Sequence, residues 1–179
     1  MPAEPLRILF VCTANICRSA YAELVARSLA GDRDDVEFAS AGIHGWRDHP
    51  LDAEMAAVLP AGVSAEGFAS RPLTGAMVDS ADLILTMEAA QRTHLLDDRP
   101  SAVRKVLTLG QAAHALARLR KESLPDRADL LRRLGTARGT ADPTLDIADP
   151  YRRGHAAAAR AADEISRLLT IVLEALAPR

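Results

Sequence analysis

The chain has 179 residues, 49% of them hydrophobic and 26% charged, with a formal net charge of −2. That size and apolar content suit one domain spanning residues 1–179 with a full core, and the near-balanced charge argues against nucleic acid as a partner. Met1-Pro2-Ala3-Glu4-Pro5 carries neither the basic nor the apolar region of an export signal, and no apolar run reaches membrane length, so a soluble, cytoplasmic protein with no membrane partner is expected. The two cysteines, Cys12 and Cys17, cannot make a disulfide framework, and no Cys or His cluster has zinc spacing; neither metal nor cofactor is expected.

Leu6, Ile8, Leu9, Phe10 and Val11 form a short apolar run that reads as a buried parallel strand. Cys12-Thr13-Ala14-Asn15-Ile16-Cys17-Arg18-Ser19 follows, then Tyr21, Leu24, Val25 and Leu29 at helical spacing, with Gly31 as a stop. A loop between a strand end and a helix start gathers backbone N–H groups where the helix dipole also favours negative charge, so it is a candidate anion site. Arg18 at its lip can grip two phosphate oxygens at once. Amide donors, a helix N-terminus and Arg18 favour ionisation of Cys12, which is expected as a thiolate nucleophile. Ser19 either donates its hydroxyl to that sulfur or caps the helix.

This stretch, Cys12 to Ser19, resembles the signature loop of the low-molecular-weight protein tyrosine phosphatases. The resemblance implies that Cys12 attacks phosphorus and that Arg18 binds the phosphate. It also implies that Asn15 and Ser19 shape the loop and that Thr13, Ala14, Ile16 and Cys17 line the substrate site. Cys17 is an ordinary loop residue or a partner that captures oxidised Cys12 as a disulfide; the family supports the second as a protective reaction. Ala14 stands where the family usually has Gly, which matters only if the position needs positive φ.

Val36 to Ala39 reads as a second strand, running into Ser40-Ala41-Gly42. By resemblance Ser40 supports the phosphate loop, and Trp46, the only tryptophan, walls the cleft against a flat phenyl ring. His44 and His49 read as solvated loop residues. Leu51 to Leu59 reads as a short helix, and Phe68 replaces a histidine often present in the family. A third strand spans Asp82 to Met87 and a helix Glu88 to Leu96, with Glu88 read as a helix N-terminal acid first and a supporting residue second. Val103 to Leu109 reads as the fourth strand. Alternating strands and helices imply a parallel sheet with its ligand site at the strands' carboxyl ends. The expected fold is α/β, a flavodoxin-like three-layer sandwich around four parallel strands.

Residues 110–144 exceed the resemblance. They read as two helices, Ala112 to Lys121 and Asp126 to Leu134, the second introduced by Pro125-Asp126 and stopped by Gly135, and forming either a surface pair over the sheet edge or a lid. The final helix, about Gly154 to Ala177, carries Ile165, Leu168, Leu169, Val172, Leu173 and Leu176 on one core-facing stripe. Two Asp-Pro pairs, Asp142-Pro143 and Asp149-Pro150, compete for the proton donor's role, with Asp146 between them. Only Asp149-Pro150-Tyr151 resembles the family's general-acid loop, so Asp149 is expected as the acid and base, with Tyr151 opposite Trp46.

The resemblance thus implies a hydrolase acting on phosphotyrosine in proteins. The alternatives are protein arginine phosphatase, whose members carry Thr in place of Ile16, arsenate reductase, and a phosphate-binding module without turnover. Oligomeric state is left open.

Overall fold

The structure, a computed structural model, describes residues 4–122, 126–137 and 139–177. Strand β1 (Leu6–Cys12) leads to helix α1 (Arg18–Ala30), then to β2 (Val36–Gly42), α2 (Ala53–Ala57), α3 (Gly75–Ser80) and β3 (Leu83–Thr86). Helix α4 (Ala89–Asp98), strand β4 (Val106–Thr108), and helices α5 (Leu109–Glu122), α6 (Arg127–Ala137) and α7 (His155–Leu176) complete the chain. All strand pairs are parallel, in the order β2-β1-β3-β4.

Strand alternation divides the interior in two. Leu6, Ile8, Phe10 and Cys12 face the larger core with α1, α5 and α7, while Leu9 and Val11 face a smaller one with Val78 of α3 and Leu95 of α4. Helices therefore cover both faces of the sheet, and the α/β sandwich expected from the alternation is present. The loops after β1 and β3 leave for opposite faces, into α1 and α4. Their divergence opens a crevice beyond the carboxyl end of β1, where ligands sit in such sheets.

Several boundaries differ from expectation. β2 runs on to Gly42 because Ser40, Ala41 and Gly42 pair with Phe10, Val11 and Cys12. The helix expected over 51–59 is confined to Ala53–Ala57, with Asp52 accepting the Glu54 and Met55 N–H groups. β4 is shorter than Val103–Leu109: Pro100 opens a 3-10 turn through Arg104, and Leu109 already starts α5. Helix α3, tied by the Thr74 hydroxyl to Met77 N–H, carries too few apolar residues to show a periodic pattern.

Gly135 does not stop α6, which continues to Ala137. A Cβ there would meet the Arg104 carbonyl oxygen at 2.7 Å, so the glycine serves close packing on the 3-10 turn rather than termination. Asp126 receives the Asp129 N–H at 2.8 Å as expected of a cap, whereas Pro125 lies outside the described residues. Leu130 and Leu134 of α6 are buried in the larger core. Arg127 donates to the Leu176 carbonyl at 2.8 Å, to the Asp35 carbonyl at 2.9 Å, and pairs with the Asp35 carboxylate. Arg33 grips the same carboxylate with two bonds of 2.8 and 2.6 Å. Asp35 immediately precedes β2, so α6 is moored at the amino end of the sheet, opposite Cys12, and α5 is a core helix rather than half of a surface pair, since Ala112, Ala113 and Leu116 are fully buried.

Candidate active site

Cys12 ends β1 and Arg18 begins α1, so Thr13–Cys17 make the whole turn. Its carbonyls are engaged outward. Those of Cys12, Thr13, Ala14 and Ile16 accept the N–H groups of Ile43, His44, Trp46 and Asp52 at 2.9, 2.9, 3.4 and 2.7 Å, and that of Cys17 accepts Tyr21 N–H at 2.9 Å. In a planar trans peptide, an outward carbonyl turns the following N–H inward. Among the described residues, none of the N–H groups of Thr13–Cys17 has an acceptor in the chain, and no side chain caps α1. The turn is an anion-binding concavity.

The shape of this turn is held from β2. Gly42 is required there, because a Cβ would fall 2.7 Å from the Thr13 carbonyl oxygen and 2.8 Å from the Ala14 carbonyl carbon. Asn15, not Ala14, adopts the left-handed conformation, with φ of 60°; Ala14 therefore carries no strain of that kind. Fully buried Asn15 uses every polar atom of its amide: Nδ2 donates to Ser19 Oγ at 2.9 Å and Ser40 Oγ at 2.8 Å, and Oδ1 accepts Arg71 N–H at 3.0 Å. Ser40 in turn donates to the buried Glu23 carboxylate, which also pairs with Arg27 and Arg71. Because Ser19 accepts from Asn15, its own hydrogen is available to Cys12 Sγ, 2.9 Å away. Ser19 thus sits on the sulfur rather than capping the helix.

Arg18 is only 2% exposed. Its Nη1 donates to the Glu88 carboxylate and to the Ile147 carbonyl at 2.7 Å. Nη2 lies 3.5 Å from Asp149 Oδ1, and Nε is buried without a partner. With Nη1 anchored, the Nε and Nη2 edge is the fork suited to two oxygens of a tetrahedral oxyanion. The other acids near this loop have structural work: Asp142 accepts Thr144 N–H at 2.9 Å, and Asp146 accepts Ala89 N–H at 2.7 Å, capping α4. Asp149 is the carboxylate left facing Arg18, at 45% side-chain exposure.

The residue pattern of the family described as low molecular weight phosphotyrosine protein phosphatase matches residues 7–119. The chain belongs to this family. Etp of Escherichia coli strain K12, a low molecular weight protein-tyrosine-phosphatase, is 43% identical over 106 residues, covering 58% of this chain and 69% of that one. The probable member EpsP of Ralstonia nicotianae is 31% identical over 162 residues, 89% of this chain and 88% of the relative. Among solved structures, the YwlE arginine phosphatase of Geobacillus stearothermophilus superposes with a TM-score of 0.73 at 26% identity, over 95% of this chain and 92% of that one. As a member of the low-molecular-weight phosphatases the protein is a phosphoric monoester hydrolase.

The remaining expected residues of this phosphatase converge on the same crevice. Trp46, at 44% the exposed large hydrophobic among the described residues, meets Tyr151 edge-on with ring centroids 6.3 Å apart. Cys17 is a buried free thiol; burial, then the Asp52 carboxylate, push it well above the usual thiol range, so it is neutral near pH 7. His44 and His49 are exposed, as expected of loop histidines; His44 packs edge-on against His94 at 5.4 Å, and His49 lies 5.0 Å from Trp46. Among the described residues, no three His, Cys, Asp or Glu side chains cluster as a metal site, and no helix is long and apolar enough to cross a membrane.

Glu88 holds both expected roles, standing at the N-cap of α4 in a capping box with Gln91 while its carboxylate pairs with Arg18. Gln91 was not singled out by sequence, yet its Oε1 accepts Met87 and Glu88 N–H at 3.0 and 3.1 Å and its Nε2 reaches Thr13 Oγ1 at 3.2 Å. Glu23 and Arg71 were also missed. Glu23 could have been found four positions after Ser19, on the same helix face. Phe68 is partly buried against the core, and the Arg71 backbone, not that side chain, bonds Asn15.

Proposed function

We propose that this phosphatase hydrolyses phosphotyrosine in proteins through a cysteinyl-phosphate intermediate. The observation that carries the reading is the approach of Asp149 to Arg18, which brings two motifs from opposite ends of the sequence to one crevice. The loop amides and the Arg18 fork bind the phosphate, and Cys12 Sγ attacks phosphorus as the bond to the tyrosine oxygen breaks. Asp149 gives its proton to that leaving oxygen. In the second step Asp149 takes a proton from water as the water oxygen attacks phosphorus, and the S–P bond breaks with the electron pair returning to Sγ. The Ser19 hydroxyl, a donor to the sulfur, favours its negative charge before the first step and after the second.

Trp46 and Tyr151 support an aryl substrate, since their touching rings make one aromatic wall against which a phenyl ring can pack. Ile16 has no hydroxyl to offer a phosphoguanidinium, which favours tyrosine over arginine phosphate. Phosphate release from a phosphotyrosine peptide, measured without added metal, tests the reading. Wild type should turn over and Cys12→Ser should not. No release by folded wild type, or undiminished release by the variant, overturns it.

A further inference from the structure

Tyr151 is followed by Arg152, whose backbone is left-handed with φ of 58°, in a turn closed by Arg153 N–H on the Pro150 carbonyl at 3.0 Å. A residue with a Cβ adopts this conformation at a cost, and glycine would be the easier occupant. The bend folds the side chain back, placing the guanidinium carbon 5.1 Å from the Tyr151 ring centroid. Tyr151 is thereby held from two sides, by the Trp46 edge contact and by a cation on its face.

Apart from this ring contact, the Arg152 charge has no partner among the described residues. Among the described residues it pairs with no carboxylate, although Asp149 lies only three positions away, with Oδ1 occupied by Arg18 Nη2 at 3.5 Å and Tyr151 N–H at 3.3 Å. Arg152 is exposed, so its N–H groups remain open to solvent beside the Tyr151 ring. Orienting a cation in this way lowers the entropy lost when it binds a carboxylate.

We propose that Arg152 is a specificity-determining residue that selects phosphotyrosine flanked directly by aspartate or glutamate. The inference rests on the tyrosine phosphatase reading above. A substrate whose phosphotyrosine ring lies against Tyr151 brings its neighbouring side chain to the rim beside Arg152. A carboxylate there gains charge-assisted hydrogen bonds, whereas a lysine meets a like charge.

The test compares kcat/KM for three short peptides that differ only in the residues flanking phosphotyrosine, glutamate, glutamine or lysine, using wild type, Arg152→Gln, Arg152→Glu and Arg47→Gln. Each value is divided by the same enzyme's kcat/KM for free phosphotyrosine, so that an effect on Tyr151 alone cancels. Wild type should favour glutamate over lysine by about three- to tenfold at low ionic strength, and less as salt is added. Arg152→Gln should flatten the series, Arg152→Glu should invert it, and Arg47→Gln, altering the exposed cation beside Trp46, should preserve it. A flat wild-type series with good turnover overturns the inference while leaving the phosphatase reading intact, and so does a preference that survives Arg152→Gln or is lost equally in Arg47→Gln. Failure to cleave any phosphotyrosine compound removes both.

Discussion

The two ends of the sheet treat polar groups in opposite ways. At the amino end, Asp35 is paired with Arg33 and Arg127, which also satisfy the Ala177, Leu176 and Asp35 carbonyls. At the carboxyl end, among the described residues, a run of N–H groups has no acceptor, Arg18 Nε is buried unpaired, and Asn15 is left-handed. Each of these features costs stability, and together they suit a bound anion. One end holds the molecule together, and the other is held in a shape that only a ligand completes.

Substitutions at the carboxyl end should therefore cost activity out of proportion to stability. Asp149→Asn keeps the shape of the side chain and removes the proposed acid, so kcat on an aryl phosphate should fall about 10²–10⁴-fold while thermal unfolding is little changed; a loss under tenfold would show that another group supplies the proton. Gly42→Ala forces a methyl group against the Thr13 and Ala14 backbone and should cost about 1–3 kcal/mol in denaturant unfolding together with most of the activity. Unchanged phosphate affinity in that variant would break the link between β2 and the loop. Asn15→Ala leaves Arg71 N–H without its acceptor and should cost about 1–3 kcal/mol. In that variant kcat should fall more than KM rises, because Ser19 loses its orientation toward Cys12.

The amino end should behave in the reverse manner. Hydrogen bonds from Arg33, then Arg127, hold the Asp35 carboxyl well below the usual carboxylate range. A depressed folded value means the stabilisation is complete above the unfolded value of about 4 and disappears as pH falls through the folded one. Asp35→Asn should thus lower the melting temperature by a few degrees at pH 7, with kcat unchanged, and the gap from wild type should close in strong acid. A gap that is constant with pH would show that the ion pairs contribute nothing.

Much of this contrast was readable from residue order alone. Cys12, Arg18 and Ser19 announce themselves because a strand–loop–helix turn gathers a thiol, a cation and a hydroxyl around its amides, Asn15 and Ser40 were expected only through the family resemblance, and the strands show because burial on both faces produces apolar runs. The partners that hold them in place were harder to see. Glu88, Gln91 and the Ile147 carbonyl meet the loop only after β3 and the segment before α7 return to the crevice, and tertiary proximity leaves no local period. Gly135 misled for a related reason: a glycine at a helix's close approach to another backbone looks the same in sequence as one that ends a helix.

The Asp35 mooring of α6 also bears on how the chain could acquire new material. Because that helix docks through Leu130 and Leu134 in the larger core and through ionic contacts at the far end of the sheet, its exposed face, with Ala128, Arg132 and Thr136, is a natural place for a tag or fused domain to rest. Growth there would be mechanically insulated from the crevice, leaving recognition and regulation free to diverge around an unchanged reaction centre.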